Sequence, residues 1–332
     1  MSSPSALVAV LDRFAGRSIL VIGDLMVDQF VIGTVERISP EAPVPIVRFN
    51  HDTWRLGGAA NVANNIIALG GHVDAVGIVG DDADGARLLE DLAGRSITTG
   101  GVVSDPSRCT TRKVRVVTTR NQQVARIDYE ADAAIDPTIE AAIIRRIGEL
   151  AGQAHAIVVS DYMKGVVTAR VASAAADAAR SHRIPLLVDP KVPHIERYAG
   201  ATLVTPNHIE AESVTHMRIR TAADAREAAR LFRAQAGSEA VLITRGEHGM
   251  WLLAKDDGKD YEIDLPAEAR EVADVTGAGD TVIAALALAA AAGASLSDAA
   301  RIANRAAGIV VGKFGAATVS IDELRQSTVD SR

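Results

Sequence analysis

Short apolar runs alternate with stretches in which apolar residues recur at helical spacing through most of the chain. Residues 18–23, 75–80, 156–160, 185–188, 203–205 and 240–244 are near-continuously apolar, the pattern of strands buried on both faces of a parallel sheet. Between them, 59–69, 83–92, 137–150, 168–181 and 222–236 carry amphipathic helical spacing. This rhythm predicts βαβ units with right-handed crossovers. The expected fold is α/β: a mostly parallel central sheet flanked by helices on both faces. No internal repeat and no Pro/Gly/Ser tract divides the chain, so residues 1–332 read as one domain.

Two segments depart from the rhythm. Residues 30–49 and 112–126 alternate polar with apolar positions and lack helical spacing. Each predicts a strand or hairpin outside the main sheet, and together they read as a small inserted β-lid of about 28–50 and 108–127. The competing reading is a pair of ordinary edge strands.

Polar residues end five of the strand-like runs or follow them closely: Asp24, Asp161, Asp189, Asn207 and Arg245. In open parallel sheets, ligands bind beyond the carboxyl ends of the strands, where loops and helix N-termini converge. One such residue is ordinarily a helix cap. Five in one chain predict a cleft along one edge of the sheet.

The segment richest in chemistry is Asp274-Val-Thr-Gly-Ala-Gly-Asp280-Thr-Val, which leads straight into an apolar helical run. Its glycines let the chain turn tightly and expose successive N–H groups at a helix start, an anion site reinforced by the helix dipole. Such a site stabilises the charge that spreads over a phosphoryl group in transfer. Gly277, Ala278 and Gly279 would form it, and Asp280 at its lip would accept the proton of an attacking hydroxyl. The dipole is expected to keep that carboxylate ionised at neutral pH. Taken alone, the segment is equally readable as a helix-starting turn with a capping acid. It lacks the third glycine of a dinucleotide fingerprint, and Gly308 to Lys313 is one residue too short for a P-loop.

Composition narrows the class. The net charge of −7 argues against a general nucleic-acid or membrane-surface binder. Cys109 is the only cysteine, which excludes an intramolecular disulfide and points to a reducing, cytoplasmic setting. The first residues lack the basic start and apolar run of a leader, and the apolar stretch 282–292 is too short to span a bilayer. The histidines show no metal-ligand spacing.

The Asp274–Val282 segment strongly resembles the C-terminal signature of the PfkB, or ribokinase-like, carbohydrate kinases. Leu56-Gly-Gly-Ala-Ala-Asn-Val-Ala-Asn-Asn-Ile resembles the family's early substrate-binding segment, and Thr205-Pro-Asn-His-Ile-Glu its N-x-x-E element. Thr244-Arg-Gly-Glu-His-Gly is similar to the strand-end loop that flanks ATP in the family. The matches keep the family's order over nearly the whole chain. The resemblance implies an ATP- and Mg²⁺-dependent kinase with Asp280 as base. Asn207, Glu210, Thr244, Gly246, Gly249, Gly277 and Gly279 would then meet the nucleotide, with Asn304 beside the adenine.

The residues suit those roles. Gly57 and Gly58 lack side chains, so a sugar can approach the backbone closely. Asn61 can donate to and accept from hydroxyls. Asp24 and Asp28 can accept from vicinal hydroxyls, Asp28 being favoured because it begins the lid. Glu210 is expected to meet magnesium through water, since that ion keeps several waters and takes one or two carboxylates.

Six basic residues crowd 108–126 without an acid: Arg108, Arg112, Lys113, Arg115, Arg120 and Arg126. They read either as a solvated face or as a site for a phosphorylated substrate. Lys164 and Lys191 follow strand ends beside the cleft; with Arg115 and Arg126 they are the expected phosphate ligands. Residues 23–47, Asp161-Tyr-Met-Lys-Gly and Val188-Asp-Pro-Lys resemble the subgroup that makes D-glycero-β-D-manno-heptose 1,7-bisphosphate from the 7-phosphate, a step of ADP-heptose synthesis for the lipopolysaccharide core. Relatives often carry an adenylyltransferase with an H-x-G-H motif, which this sequence lacks. The resemblance therefore implies a stand-alone kinase and a homodimer paired through the lids. Open alternatives are a kinase for another sugar or sugar phosphate, and a non-catalytic sensor of the same fold.

Overall fold

The computed structural model describes residues 3–131, 133–268, 273–313 and 317–330. Helix α1 (Pro4–Leu11) leads into strand β1 (Ser18–Gly23), after which two long strands, β2 (Leu25–Ile38) and β3 (Pro45–Gly58), run out of the core and back. Helix α2 (Ala59–Ala68), β4 (His72–Gly80), α3 (Ala83–Gly94) and β5 (Thr98–Asp105) follow, then the pair β6 (Arg112–Thr118) and β7 (Gln123–Tyr129). Crossover units continue with α4 (Pro137–Leu150), β8 (Ala156–Ser160), α5 (Ala169–His182), β9 (Leu186–Asp189), β10 (Leu203–Val204), α6 (His208–Thr215), α7 (Ala222–Ala236) and β11 (Ala240–Thr244). The hairpin β12 (Met250–Asp256) and β13 (Lys259–Leu265) precedes helices α8 (Ala278–Ala291), α9 (Leu296–Val310) and α10 (Ile321–Asp330).

Nine strands form the main sheet in the order β13-β12-β11-β10-β9-β8-β1-β4-β5. Pairing is parallel from β5 to β11 and antiparallel only at the β12–β13 edge. Its strands are apolar throughout because helices bury both faces. One core joins the sheet to α1, α2, α8 and α9, and the other joins it to α4, α5 and α7. Local chemistry sets the helix limits. Asp136 accepts from the Thr138 N–H at 2.8 Å with Pro137 at the first helical position of α4. Thr221 and Asp224 make a capping box on α7, which ends on left-handed Gly237.

The segments that break the rhythm form a second, four-stranded sheet in the order β3-β2-β6-β7. β2 pairs antiparallel with β3 and parallel with β6, so this sheet is mixed. Its strands reach further than the sequence suggests, since β2 begins one residue after Asp24 and β3 ends on Gly58. Asp28 lies opposite both Arg55 and Lys113, which places these three residues on one face with Arg115. Ile38, Val44, Phe49 and Ile127 are exposed on this sheet. Among the described residues, no helix is long and apolar enough to cross a membrane.

Candidate active site

β1 lies between β8 and β4, where the strand order reverses, so the loops beyond β1 and β8 open a crevice at the switch point. Asp24 follows β1 and Asp161 follows β8. Their carboxylates serve the backbone. Asp24 is 1% exposed and accepts from the amides of Tyr162 (2.7 Å), Lys164 (3.1 Å) and Val166 (3.2 Å). Burial, with the nearby Asp161 charge, pushes its pKa up to about 6 against these hydrogen bonds. A carboxylate enclosed in this way does not reach a sugar hydroxyl, the role the sequence offers it alongside the favoured Asp28. It fixes the 161–166 loop, in which Met163 and Gly165 adopt left-handed φ.

Helix α8 begins in this crevice. Gly277 takes φ +78 as the helix cap, and Asp280 is the third helical residue, 4% exposed. The Ala278 amide bonds the Val275 carbonyl at 3.2 Å. Among the described residues, no backbone acceptor engages the amides of Gly277, Gly279 or Asp280, so the anion nest differs by one amide from the expected Gly277–Gly279 set. Asn61 Nδ2 donates to Asp280 Oδ2 at 2.6 Å, and Tyr162 Oη donates to Asp280 Oδ1 at 2.7 Å. Burial raises the Asp280 pKa to about 6; the Asn61 and Tyr162 hydrogen bonds oppose it and the Asp28 charge adds to it. The carboxylate is thus mostly ionised at pH 7 and more basic than dipole stabilisation alone would leave it.

The donor from α2 is itself fixed. Asn65, fully buried, donates to the Asn61 carbonyl at 2.9 Å and accepts from Thr281 Oγ1 at 2.8 Å. This leaves the Asn61 amide nitrogen facing the Asp280 carboxylate.

Gly57 leaves room for Asp28: a Cβ there would stand 2.8 Å from Asp28 Oδ2. Gly58, at φ +54, passes so close to the Asp24 carbonyl that a Cβ would lie 2.5 Å from it. Asp28 is ion-paired with Arg115.

The cations divide into two groups. Arg108 is committed to Asp105 at 3.2 Å and to the carbonyls of Lys164 and Ala133, and Arg112 to Asp84 at 3.3 Å. Arg126 is half-exposed and pairs with Asp128 at 2.9 Å. Lys164 holds Glu130 at 2.9 Å. Lys113, which the sequence places in the basic run without singling it out, turns inward, its Nζ 5.6 Å from the centre of the Tyr162 ring. Burial lowers its pKa, with the Lys164 charge acting the same way, despite the opposing Asp28 charge. Period-two spacing from Arg115 was the sequence signal for it. Lys191 lies at the same 5.6 Å from that ring and is ion-paired with Glu210. Burial pushes Lys191 down, but Glu210 and Asp189 outweigh it and its pKa ends raised.

Asn207 and Glu210 form a capping box on α6: the Asn207 side chain accepts from the Glu210 amide, and Glu210 accepts from the Asn207 amide at 2.9 Å. Glu210 therefore holds Lys191 through one oxygen and backbone through the other. Among the described residues, no group of three or more His, Cys, Asp or Glu side chains is gathered for a metal ion. This set fits contact with magnesium through water, not direct ligation.

From α6 to the start of α8 and the side of α9 runs a cavity of about 1350 Å³, lined by Thr244, Gly246, Gly249, Gly279 and Asn304 among others. Thr244 bridges to Asn207. Gly249, at φ +76, closes its loop through the Arg245 N–H to Gly249 carbonyl bond of 2.8 Å. Asn304, 4% exposed, donates to the Pro266 carbonyl at 2.8 Å. Asp280 thus sits where a large cleft meets a cationic sheet.

Comparison with known proteins agrees with this arrangement. Residues 17–323 match the pfkB family carbohydrate kinase model. The chain is 46% identical over 305 residues to the bifunctional protein HldE of Geobacter metallireducens, covering 92% of this chain and 61% of that one. It is 44% identical over 316 residues to the bifunctional protein HldE of Pelobacter propionicus, covering 95% and 64% respectively. It therefore spans about three-fifths of the length of these relatives. Among solved structures it resembles Arabidopsis thaliana ribokinase complexed with ribose and ATP, with TM-score 0.74, 20% identity, and 96% and 100% of the two chains covered. Escherichia coli phosphofructokinase-2 in complex with substrates and products gives TM-score 0.77 at 20% identity, over 95% and 99%. The fold is ribokinase-like, and the chain belongs to the pfkB family of carbohydrate kinases.

Proposed function

We propose that this chain transfers the γ-phosphoryl group of ATP to the anomeric hydroxyl of D-glycero-β-D-manno-heptose 7-phosphate, giving the 1,7-bisphosphate and ADP. The observation that carries the reading is Asp280, a buried carboxylate with pKa about 6 beside amides at the start of α8 that meet no backbone acceptor among the described residues, between the cleft and the cationic sheet. ATP would occupy the cleft, its phosphates directed at the Gly277, Gly279 and Asp280 amides. The sugar would lie between Asp28, the Gly57–Gly58 backbone and Asp280. Asp280 takes the hydroxyl proton as the oxygen attacks phosphorus and the bond to the β-phosphate oxygen breaks. In a loose transition state that proton leaves late, so a carboxylate suffices as base. Glu210 would hold magnesium through water, which neutralises charge on the nucleotide phosphates.

A 7-phosphate at the far end of the sugar calls for cations at the rim. Lys113, Arg115, Lys164 and Lys191 are the candidates, all more buried than Arg126, which is half-exposed. The heptose rests on the resemblance of residues 23–47, 161–165 and 188–191, and on the identity with proteins named HldE. The second sheet would act as a lid. Its exposed Ile38, Val44, Phe49 and Ile127 favour a homodimer in which two lids cover each other.

The test is an ADP-release assay with Mg·ATP on the heptose 7-phosphate, ribose, fructose 6-phosphate and adenosine, with Asp280→Asn as blank. Turnover confined to the heptose phosphate and lost in the variant is the expected result. Turnover on another sugar removes the heptose assignment and keeps the kinase. No turnover on any of these acceptors would favour the non-catalytic sensor of the same fold.

A further inference from the structure

The base is held by two donors from opposite sides, and the reaction as written uses neither. One is Asn61 of α2. The other is Tyr162, to which the Asp161-Tyr-Met-Lys-Gly resemblance gives no role and which meets Asp280 across 118 positions of sequence. We infer that Tyr162 is a positioning residue for the base: its hydroxyl, aimed by the Asp24-clamped loop, holds the Asp280 carboxylate in orientation and supports its charged form. The inference rests on the reading of Asp280 as the base.

Three observations carry it. First, the Tyr162 backbone has little freedom. Its amide is bound at 2.7 Å to buried Asp24, and the next residues are tied through Lys164 and Val166 to the same carboxylate. Asp161, the preceding residue, accepts from the Met163 amide at 2.7 Å and from Tyr198 Oη at 2.7 Å, pinning the loop to the neighbouring strand connection. Second, Gly165 packs so closely on the Ala133 carbonyl that a Cβ would be 2.1 Å from it, and its own carbonyl accepts from the Ile135 amide at 3.3 Å, which ties the loop to the chain before α4. Third, the ring is flanked by Lys113 and Lys191, each with Nζ 5.6 Å from its centre, so cations from two elements brace the ring that presents the hydroxyl.

A neutral phenol suits this task. Burial, with the Asp280 and Asp189 charges, pushes the Tyr162 pKa well above its ordinary value, so it donates across the working pH range. A hydrogen bond to the charged form favours that form. The other charges facing Asp280 are Asp28 from β2, Asp189 at the end of β9, and Lys191 after it. Asp28 raises the carboxylate's proton affinity and Lys191 lowers it, while burial pushes the pKa of Asp189 itself well above the ordinary carboxylate value. Among these, the Tyr162 and Asn61 hydrogen bonds are what keep the base ionised despite burial.

The test compares wild type with Tyr162→Phe, which keeps the ring between the two lysines and removes only the hydroxyl. The quantity read is the ratio of kcat/KM values from pH 5.5 to 8.5, in which titration of the sugar phosphate and of ATP cancels. Loss of one donor moves the base's pKa up by about one unit. The variant is then slower by about fivefold at pH 6, and by less than about twofold at pH 8 from this cause. Asp24→Ala, which frees the loop, should give the same pH-dependent ratio with a larger loss. A ratio independent of pH would make Tyr162 a structural residue and overturn the inference. A faster Tyr162→Phe enzyme would overturn it too, by making the hydroxyl a competitor for the base. Asp280→Asn run alongside separates the two levels: if that variant keeps its turnover, Asp280 is not the base and the underlying reading fails. If it is inactive while Tyr162→Phe shows no pH-dependent loss, only the inference fails.

Discussion

Asn61 Nδ2 lies 2.6 Å from Asp280 Oδ2, joining the first turn of α2 to the first turn of α8. The sequence presents Asn61 as a residue that could bind a sugar hydroxyl, and the fold gives its amide nitrogen to the Asp280 carboxylate. Thr281, next to Asp280, sets the Asn65 amide, which in turn engages Asn61, so the two helix starts are coupled through three side chains.

From this relationship Asn61→Ala should lower kcat by about 10- to 100-fold while KM for ATP changes little, since a charge-assisted hydrogen bond is worth roughly 1.5–3 kcal/mol. Asn64→Ala is the control. Asn64 faces Arg95 at the surface, so its loss should leave steady-state kinetics within about twofold of wild type. Equal losses in both variants would mean that α2 as a whole, and not the Asn61 amide, supports turnover.

The burial of Asp280 has a measurable consequence for stability. Its pKa rises on folding from the ordinary carboxylate value of 3.8 to about 6, so the folded protein binds the proton more tightly than the unfolded chain. The stabilising contribution of the protonated form is complete below the unfolded pKa, and it is lost as pH rises through the folded pKa near 6. Asp280→Asn does not titrate. Its stability relative to wild type should therefore increase between pH 4 and pH 7, by up to about 3 kcal/mol on the scale of 1.36 kcal/mol per pKa unit. Urea unfolding of both proteins at several pH values reads this directly, and parallel curves would show that Asp280 titrates normally.

How far the sequence led differs between the sheet and the site. β1, β8 and β11, and α4 and α7, lie at the residues where periodicity puts them, because buried parallel strands are unbroken apolar runs and because Asp136-Pro137, Thr221 and Gly237 punctuate the helices. β5 was not legible: Thr98-Thr-Gly-Gly-Val-Val-Ser-Asp carries two glycines and no clear alternation, and only its parallel pairing with β4 makes it a strand. The fate of the basic run was equally hidden. Arg108 and Arg112 look the same as Lys113 in sequence, yet their partners are Asp105 and Asp84, whose positions depend on the fold. Tyr162 was missed because the Asp161-Tyr-Met-Lys-Gly resemblance gives its tyrosine no role, and its contact with Asp280 exists only after the crossovers have closed.

The division among the cations yields a prediction for substrate recognition. Lys113→Met should raise KM for a sugar phosphate by about 10- to 100-fold, with a smaller change in KM for ATP, because a partly desolvated ammonium binds phosphate strongly. Arg126→Ala, at a half-exposed residue paired with Asp128, should change KM by less than about threefold, as expected for a surface ion pair. Initial rates at varied sugar phosphate distinguish the two. A larger effect at Arg126 would move the phosphate toward the rim of β7, away from Tyr162.

The loop that closes the nucleotide cleft offers a matched pair of substitutions. Gly246 and Gly249 both have positive φ, +58 and +76, so alanine is strained at either. Their surroundings differ. A Cβ at Gly246 would meet nothing within 4 Å, whereas at Gly249 it would lie 1.9 Å from the Leu265 carbonyl and 2.6 Å from the Ala267 amide. Backbone cannot yield as a side-chain tip can, so Gly249→Ala must displace either the 245–249 turn or the chain after β13. Gly246→Ala should cost about 1–2 kcal/mol of stability, the conformational strain alone. Gly249→Ala should cost about 3 kcal/mol or more and raise KM for ATP at least about tenfold, since Thr244, Asn304 and the Pro266 carbonyl share the displaced wall. Thermal unfolding and ATP titration of the two variants decide the matter. Equal costs would mean that the β13 end gives way freely and that the cleft is not held by this turn.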